Sequence, residues 1–313
     1  MLTYILRQFI YSLLIIFGVM SVTFILIRVL PAGDPARLVA GQRTDLQTLE
    51  SIRRSWKLDR PIYEQYADFL VKAAQGDLGR SFASNLVVLD TILERFPATV
   101  WLALPSLLIA TLIGVCIGVI SAWKPYTTFD YTAMVLALFG ISVPVFVLGL
   151  FLIRVFSGWL GWLNGTGYID RGGYIDLRFL ILPVLALAAR PLSIIARITR
   201  SSMLDVMSQD YIRTARAKGL PVTTTILRHA LRNALNPVIT TISAWLAGTL
   251  AGTFFIETIF NWPGIGRLAY DAVLQLDFPM IQGTVLFTAV VFVAVNFLVD
   301  IVYSLLDPKV RLS

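Results

Sequence analysis

Residues 98–123 read ATVWLALPSLLIATLIGVCIGVISAW, a run of 26 residues without a charged side chain. At about 1.5 Å of rise per residue, a helix of this length exceeds the roughly 30 Å of a bilayer's hydrocarbon core. The run therefore predicts a transmembrane helix, and its neighbours follow suit. Phe9–Ile27, Tyr131–Ile153, Asn233–Ile256 and Phe278–Val299 are also uncharged and long enough to cross, while a weaker run, Phe179–Ala196, is interrupted by Arg190. Six spans put both termini on one side.

Composition points the same way. The chain has 313 residues, 57% apolar and 14% charged, with a mean hydropathy of +0.76. A soluble domain carries about 45–50% apolar and about 25% charged residues. Six spans consume roughly 120 residues, so most of the chain remains for loops, an insertion and tails. Cys116 and His229 are the sole members of their types, which excludes a disulfide framework, a thiolate zinc site or a histidine cluster within one chain. Phe9–Ile27, preceded by Arg7, is compatible with a signal peptide or an anchor. Its apolar core exceeds the roughly 7–15 residues of a signal region, so it is read as a retained first helix.

Basic residues orient the spans. With the N-terminus in the cytoplasm, Arg7, Lys124, Arg197, Arg200, Arg213, Arg216, Lys218, Arg228, Arg232, Lys309 and Arg311 fall inside, against Arg171, Arg178 and Arg267 in the short outer loops. Positive charge accumulates on the cytoplasmic side, which places both termini there; the long first loop escapes the rule. The formal charge of +7 is then a topology signal, and nucleic acid is not an expected partner. Between the first two spans, residues 31–96 hold nine basic and nine acidic side chains and predict a small extracytoplasmic helical insertion. Leu46, Leu49, Ile52 and Trp56 recur at helical spacing after Thr44-Asp45, and Pro61 opens a second helix with Ile62, Tyr66, Phe69 and Leu70 on one face. The insertion suits either a cap over helix ends or a docking surface for an extracytoplasmic partner.

The loop from Arg197 to Asn236 predicts a helical hairpin. Its first helix runs from Ser201 to Lys218 with Ser201 or Ser202 as N-cap, Gly219 stops it, and Pro221 starts a second helix. That helix has Ile226, Leu227, Ala230, Leu231 and Ala234 on one face and Arg228, Arg232 and Asn233 on the other. By composition alone the loop reads first as a basic, topology-setting segment on headgroups.

The order of its residues is more specific. Asp210-Tyr211-Ile212-Arg213-Thr214-Ala215-Arg216-Ala217-Lys218-Gly219, followed by His229-Ala230-Leu231-Arg232-Asn233-Ala234-Leu235-Asn236-Pro237, resembles the EAA loop of binding-protein-dependent ABC importer permeases. More closely it resembles the dipeptide/oligopeptide/nickel branch, first-permease type. Arg213 stands where Glu is usual in the general pattern and Arg232 where the later Pro is usual, departures that are themselves usual in the peptide branch. The resemblance extends to Leu30-Pro31-Ala32-Gly33-Asp34-Pro35, Gly76-Asp77-Leu78-Gly79-Arg80-Ser81, the stretch from Glu257 through Asn261-Trp262-Pro263-Gly264 to Arg267, and Asn296 through Arg311, so it covers nearly the whole chain.

The resemblance implies an all-α membrane protein with the six-helix type I ABC importer permease fold. The expected layout is a cytoplasmic N-terminus over 1–8, a first span over 9–30, the insertion over 31–96 and a permease core over 97–307. Within the core lie spans at 98–123, 131–154, 179–198, 237–256 and 279–303, a coupling hairpin at 199–236 and an outer amphipathic helix at 263–276; a cytoplasmic tail follows at 308–313. The implied partners are a second homologous permease, two ATPase subunits or domains and an extracytoplasmic substrate-binding protein, with the bilayer around them. ATP and Mg are expected on the ATPase, because this chain lacks a Gly-x-x-x-x-Gly-Lys-[Ser/Thr] loop; no cofactor, metal or catalytic residue is expected here. Asp210, Tyr211, Arg213, Ala215, Arg216, Lys218, Gly219 and Leu220 would couple the chain to that ATPase, with Gly219 allowing the turn and Ala215 a close approach. Closure of the ATPase pair would bias the spans between inward- and outward-open states.

Ile265, Leu268, Ala269, Ala272, Val273 and Leu276 share a helical face, entered through Trp262-Pro263. The helix fits an interfacial anchor, with Trp262 at the headgroups, or an outer gate built from Trp262, Gly264, Arg267, Leu268 and Ala272. Arg190 and Asp300 are intramembrane charge candidates; Asp300 is also placed to reach Arg197 or Arg200. Gly114, Gly118, Gly248 and Gly252 permit close helix contact within the chain or with a partner. A self-contained channel or secondary transporter needs ionisable pairs at the midplane or inverted repeats, and the chain offers mainly Arg190. An intramembrane hydrolase is excluded by the position of His229 and the lack of His-Glu-x-x-His or Gly-x-Ser-x-Gly. The expected function is passage of small peptides, from di- and tripeptides and glutathione-like ones to oligopeptides, with nickel chelates as the alternative cargo.

Overall fold

The computed structural model describes residues 2–28, 46–55, 59–168, 176–251 and 253–306. Among them every named element is helical. They form two compact units, Met1–Pro97 with Pro263–Ser313, and Ala98–Trp262.

In the first unit, α1 (Leu2–Arg28) packs along α13 (Phe278–Leu306). Short helices α2 (Leu46–Ser55) and α3 (Ile62–Ala74) belong to the insertion. Pro61 precedes α3 in an extended conformation, and Gly76, at φ +80°, lets the chain leave it. Tyr66 and Phe69 of α3 meet Phe24 of α1 at centroid distances of 5.1 and 5.9 Å, and the Tyr66 hydroxyl lies 2.5 Å from that of Ser21. The expected face over Ile62 loses its first member, because Ile62 is exposed. Trp56, Leu30-Pro35 and the 308–313 tail lie outside the described residues.

Helix α4 (Val88–Trp123) is 36 residues long and begins well before Ala98, so the last part of the expected insertion is already helix. Charge marks where an uncharged run stops, but a helix continues wherever its backbone bonds do, and here Glu94 and Arg95 stay exposed on it. The 131–154 span proves to be two helices. α5 (Thr128–Ser142) and α6 (Val145–Leu152, continued by a π-helical stretch at Ile153–Trp159) meet at a 105° bend. Pro144 supplies no N–H and biases the preceding Val143 towards its observed extended backbone (φ −74°, ψ 124°).

Helix α7 (Leu177–Met207) runs through Pro183, Pro191 and both candidate caps. Ser201 and Ser202 are therefore mid-helix, and the expected boundary at residue 198 moves to 207. Ser202 gives its hydroxyl to the Ala234 carbonyl at 2.9 Å, so the side chain ties two helices instead of starting one. Gly114 and Gly118 on α4 make close packing possible: a Cβ on Gly118 would stand 2.5 Å from Cβ of Thr199. Those two glycines thus serve contact within the chain, whereas Gly248 faces open space and Gly252 lies outside the described residues.

The hairpin comprises α8 (Asp210–Ala217) and α9 (Val222–Thr224), the latter passing through a π-helical stretch at Thr225–Ala230 into α10 (Leu231–Leu250). The expected 237–256 span ends early, at Leu250, and α11 (Phe254–Ile259) follows. By length and apolarity, four helices, α1, α4, α7 and α13, can each cross a membrane; the bent α5–α6 pair makes a fifth only if its two halves form one span. α10 is the expected sixth, but Arg232, Asn233, Asn236 and several Thr and Ser residues leave it less apolar. The last short helix, α12 (Ile265–Leu274), belongs to the first unit.

Candidate functional site

The 199–236 segment builds a polar surface on a small apolar base. Ile212 of α8 joins Met203, Ile226, Ala230, Ala234 and Ala122 in one buried cluster. Leu227 does not share that face; it is exposed, because the π-helical turns around Thr225–Ala230 rotate the helix away from 3.6-residue periodicity. The Tyr211 hydroxyl accepts from Nδ2 of Asn233 at 2.8 Å and pins the two arms.

The end of α8 is set by its backbone. Gly219 has φ +76°, its N–H reaches the Arg216 carbonyl at 2.9 Å, and the Leu220 N–H reaches the Ala215 carbonyl at 3.3 Å. These two bonds form a Schellman motif, in which a left-handed residue closes the helix. No atom lies within 4 Å of a Cβ added at Gly219, so conformation and not crowding demands glycine. Asp210 and Arg213 pair at 3.2 Å, with 93% and 73% of their side chains exposed, a weak surface ion pair. Arg216, Lys218 and Gly219 are exposed as well, and Tyr211 and Leu220 partly so. Ala215 is 8% exposed and turns inward, so its close approach is to this chain's own residues.

One tie near the hairpin has no local sequence pattern to announce it. Arg200 forks both carboxylate oxygens of Asp130 at 2.6 Å, and the Tyr126 N–H donates to the same carboxylate at 2.9 Å. Asp130 is 1% exposed, so α5 is fastened to α7 by a bidentate pair whose carboxylate is buried and whose guanidinium is partly so. Arg200 is therefore engaged without Asp300, whose side chain lies outside the described residues. Arg190 is exposed and stands over the Trp245 ring at 6.0 Å.

The gate candidates divide between the two units. Trp262 is fully buried, gives its indole N–H to the Ala98 carbonyl at 2.7 Å and meets Tyr168 edge-on; it is a core residue of the second unit and not a headgroup anchor. Its backbone N–H bonds the carbonyl of Glu257, a buried residue whose side chain accepts from Thr99 at 2.8 Å and Thr253 at 3.1 Å. In the first unit, Gly264, Arg267 and Leu268 line a cavity of about 140 Å³ together with Arg95. Ala272 is buried with Ile265, Val88 and Ile92, and Val273 is exposed, so the apolar face is narrower than its periodicity predicts.

Comparison with known proteins gives this geometry a family. Residues 114–312 match the model of the binding-protein-dependent transport system inner membrane component, and residues 1–103 match that of its N-terminal part. The chain belongs to this family. It is 41% identical over 312 residues, spanning 99% of each chain, to a glutathione transport system permease protein of Shigella flexneri serotype 5b (strain 8401), and 40% identical at the same coverage to the one of Escherichia coli (strain K12). A di/tripeptide transport system permease protein of Pseudomonas aeruginosa (strain UCBPP-PA14) is 41% identical over 334 residues, again spanning 99% of each chain. As a member of the binding-protein-dependent transport family, the chain is an inner-membrane transport subunit.

Proposed function

We propose that this chain passes small peptides, glutathione-like or di- and tripeptide in size, from an extracytoplasmic binding protein into the cytoplasm. It works beside a second, related permease and draws on two separate ATPase subunits, which carry ATP and Mg. The names of relatives 41% identical over essentially the full chain support the cargo. The observation that carries the mechanism is the 210–220 segment: exposed, charged, and closed by a backbone motif on a packed apolar base. In this reading it faces the cytoplasm with both termini, and Asp210, Tyr211, Arg213, Arg216, Lys218 and Leu220 meet the ATPase. ATP-driven closure moves α7 and α10 through the hairpin that joins them, and differential contact with the two states supplies the bias.

The experiment is uptake of labelled dipeptide and glutathione into proteoliposomes holding this chain with its genomic-neighbour permease, ATPases and binding protein. ATP-dependent uptake is expected only with the full set. Uptake by this chain alone without ATP would overturn the proposal.

A further inference from the structure

One end of the first unit holds a half-open cavity of about 580 Å³ that the transport reading does not use. Its walls come from the last turn of the first membrane helix at Phe24, from Phe69 of α3, from the Gly79–Ser81 loop and from the first turns of α13 at Gln282. Gln282 is 7% exposed, and its Nε2 has no hydrogen-bond partner. A buried amide N–H left unpaired is costly, so an acceptor in the cavity is worth more than one in water.

The remaining polar groups are matched to the same demand. Lys72 and Asp68 satisfy each other at 3.2 Å, and Asp77 accepts the Gly79 N–H at 2.9 Å. Arg60 and Arg80 also line the cavity and have no carboxylate partner among the described residues; Arg80 spends one donor, at 3.0 Å, on the Asn85 carbonyl. Asp77 keeps its negative charge, so three basic and two acidic lining side chains leave a net charge of +1 with donors to spare, which favours an anion with several acceptor oxygens. Two Phe rings beside it suit an apolar stem on that anion.

We propose that the cavity binds the headgroup of an anionic glycerophospholipid, with Gln282 donating to a phosphate or ester oxygen and Arg60 and Arg80 balancing its charge. The shared chemistry is that of any phosphate. The lipid is favoured because Phe24 and Gln282 both sit within a turn or two of the ends of helices long and apolar enough to span a bilayer, which is headgroup depth.

The test uses the full chain in phosphatidylcholine nanodiscs with and without phosphatidylglycerol, reading retained lipid by mass spectrometry and thermal unfolding by fluorescence. Phosphatidylglycerol should be retained and should raise the unfolding temperature. Arg60→Ala and Arg80→Ala should each weaken retention about tenfold, and Gln282→Glu, which keeps the side chain's size, should weaken it more by repelling the phosphate. Equal retention by wild type and variants would overturn the proposal. So would an equal thermal shift from inorganic phosphate alone, which would mark a free-anion site, or variants that change only the KM of peptide uptake, which would mark a peptide site.

Discussion

Two helices end in the same backbone turn and do different things with it. α8 closes through Gly219, and α12 closes through Leu276, which lies at φ +54° with its N–H on the Val273 carbonyl at 3.2 Å while the Asp277 N–H reaches the Ala272 carbonyl at 2.9 Å. After Gly219 the chain is exposed and touches little. After Leu276 comes Asp277, 3% exposed, which accepts from the hydroxyl of Ser81 and from the N–H of Phe82 at 3.0 Å and caps the first turn of α13. A left-handed leucine costs about 1–2 kcal/mol, and it is tolerated where the following residue is over-determined by its contacts. On a free surface nothing offsets that cost, and glycine stands there. One turn is a junction, the other a finished edge.

Substitutions can break that contrast. Asp277→Ala should cost about 3 kcal/mol, since it removes a cap and leaves Ser81 and Phe82 without their acceptor; thermal unfolding in detergent should show a clear drop, and an unchanged transition would demote the junction. Gly219→Val should cost about 1–2 kcal/mol while abolishing ATP-dependent uptake, with membrane insertion intact by protease protection. Normal uptake by that variant would remove the edge from the coupling mechanism. Leu276→Gly should be neutral or stabilise by up to about 1 kcal/mol, because it relieves the left-handed leucine at the loss of a half-buried side chain; a loss above that would mean the leucine's packing outweighs its strain. Arg213→Ala should leave stability within about 0.5 kcal/mol, as expected of an exposed ion pair, and lower the ATPase rate stimulated by the binding protein. An unaltered ATPase rate would assign the Asp210–Arg213 pair to the surface alone.

Much of this was written in plain view. Uncharged runs located α1, α4 and α13, because lipid tolerates few charges, and Gly219 located the end of α8, because few other residues accept its backbone. Periodicity misplaced Leu227, since the π-helical stretch at Thr225–Ala230 breaks the 3.6-residue rule without any residue that announces it. Pro144 stands at a 105° bend while Pro183 and Pro191 lie inside an unbroken α7, so a proline in the sequence does not by itself mark a break. The buried polar ties were the least legible. Asp130 with Arg200, and Glu257 with Thr99, join residues 70 and 158 positions apart, and no local pattern shows which partner a carboxylate will find.

The tie between Ser81 and Asp277 spans 196 positions and sets an order of events during synthesis. Residues 98–262 are continuous, so that unit can assemble as soon as its last helix has left the ribosome. The other unit is split across the chain: α1 must wait, inserted but without its main packing partner, until α13 is made. Closing so long a loop is slow compared with local helix pairing, which makes the union of the first and last helices the late step of biogenesis and exposes α1 longest to quality control.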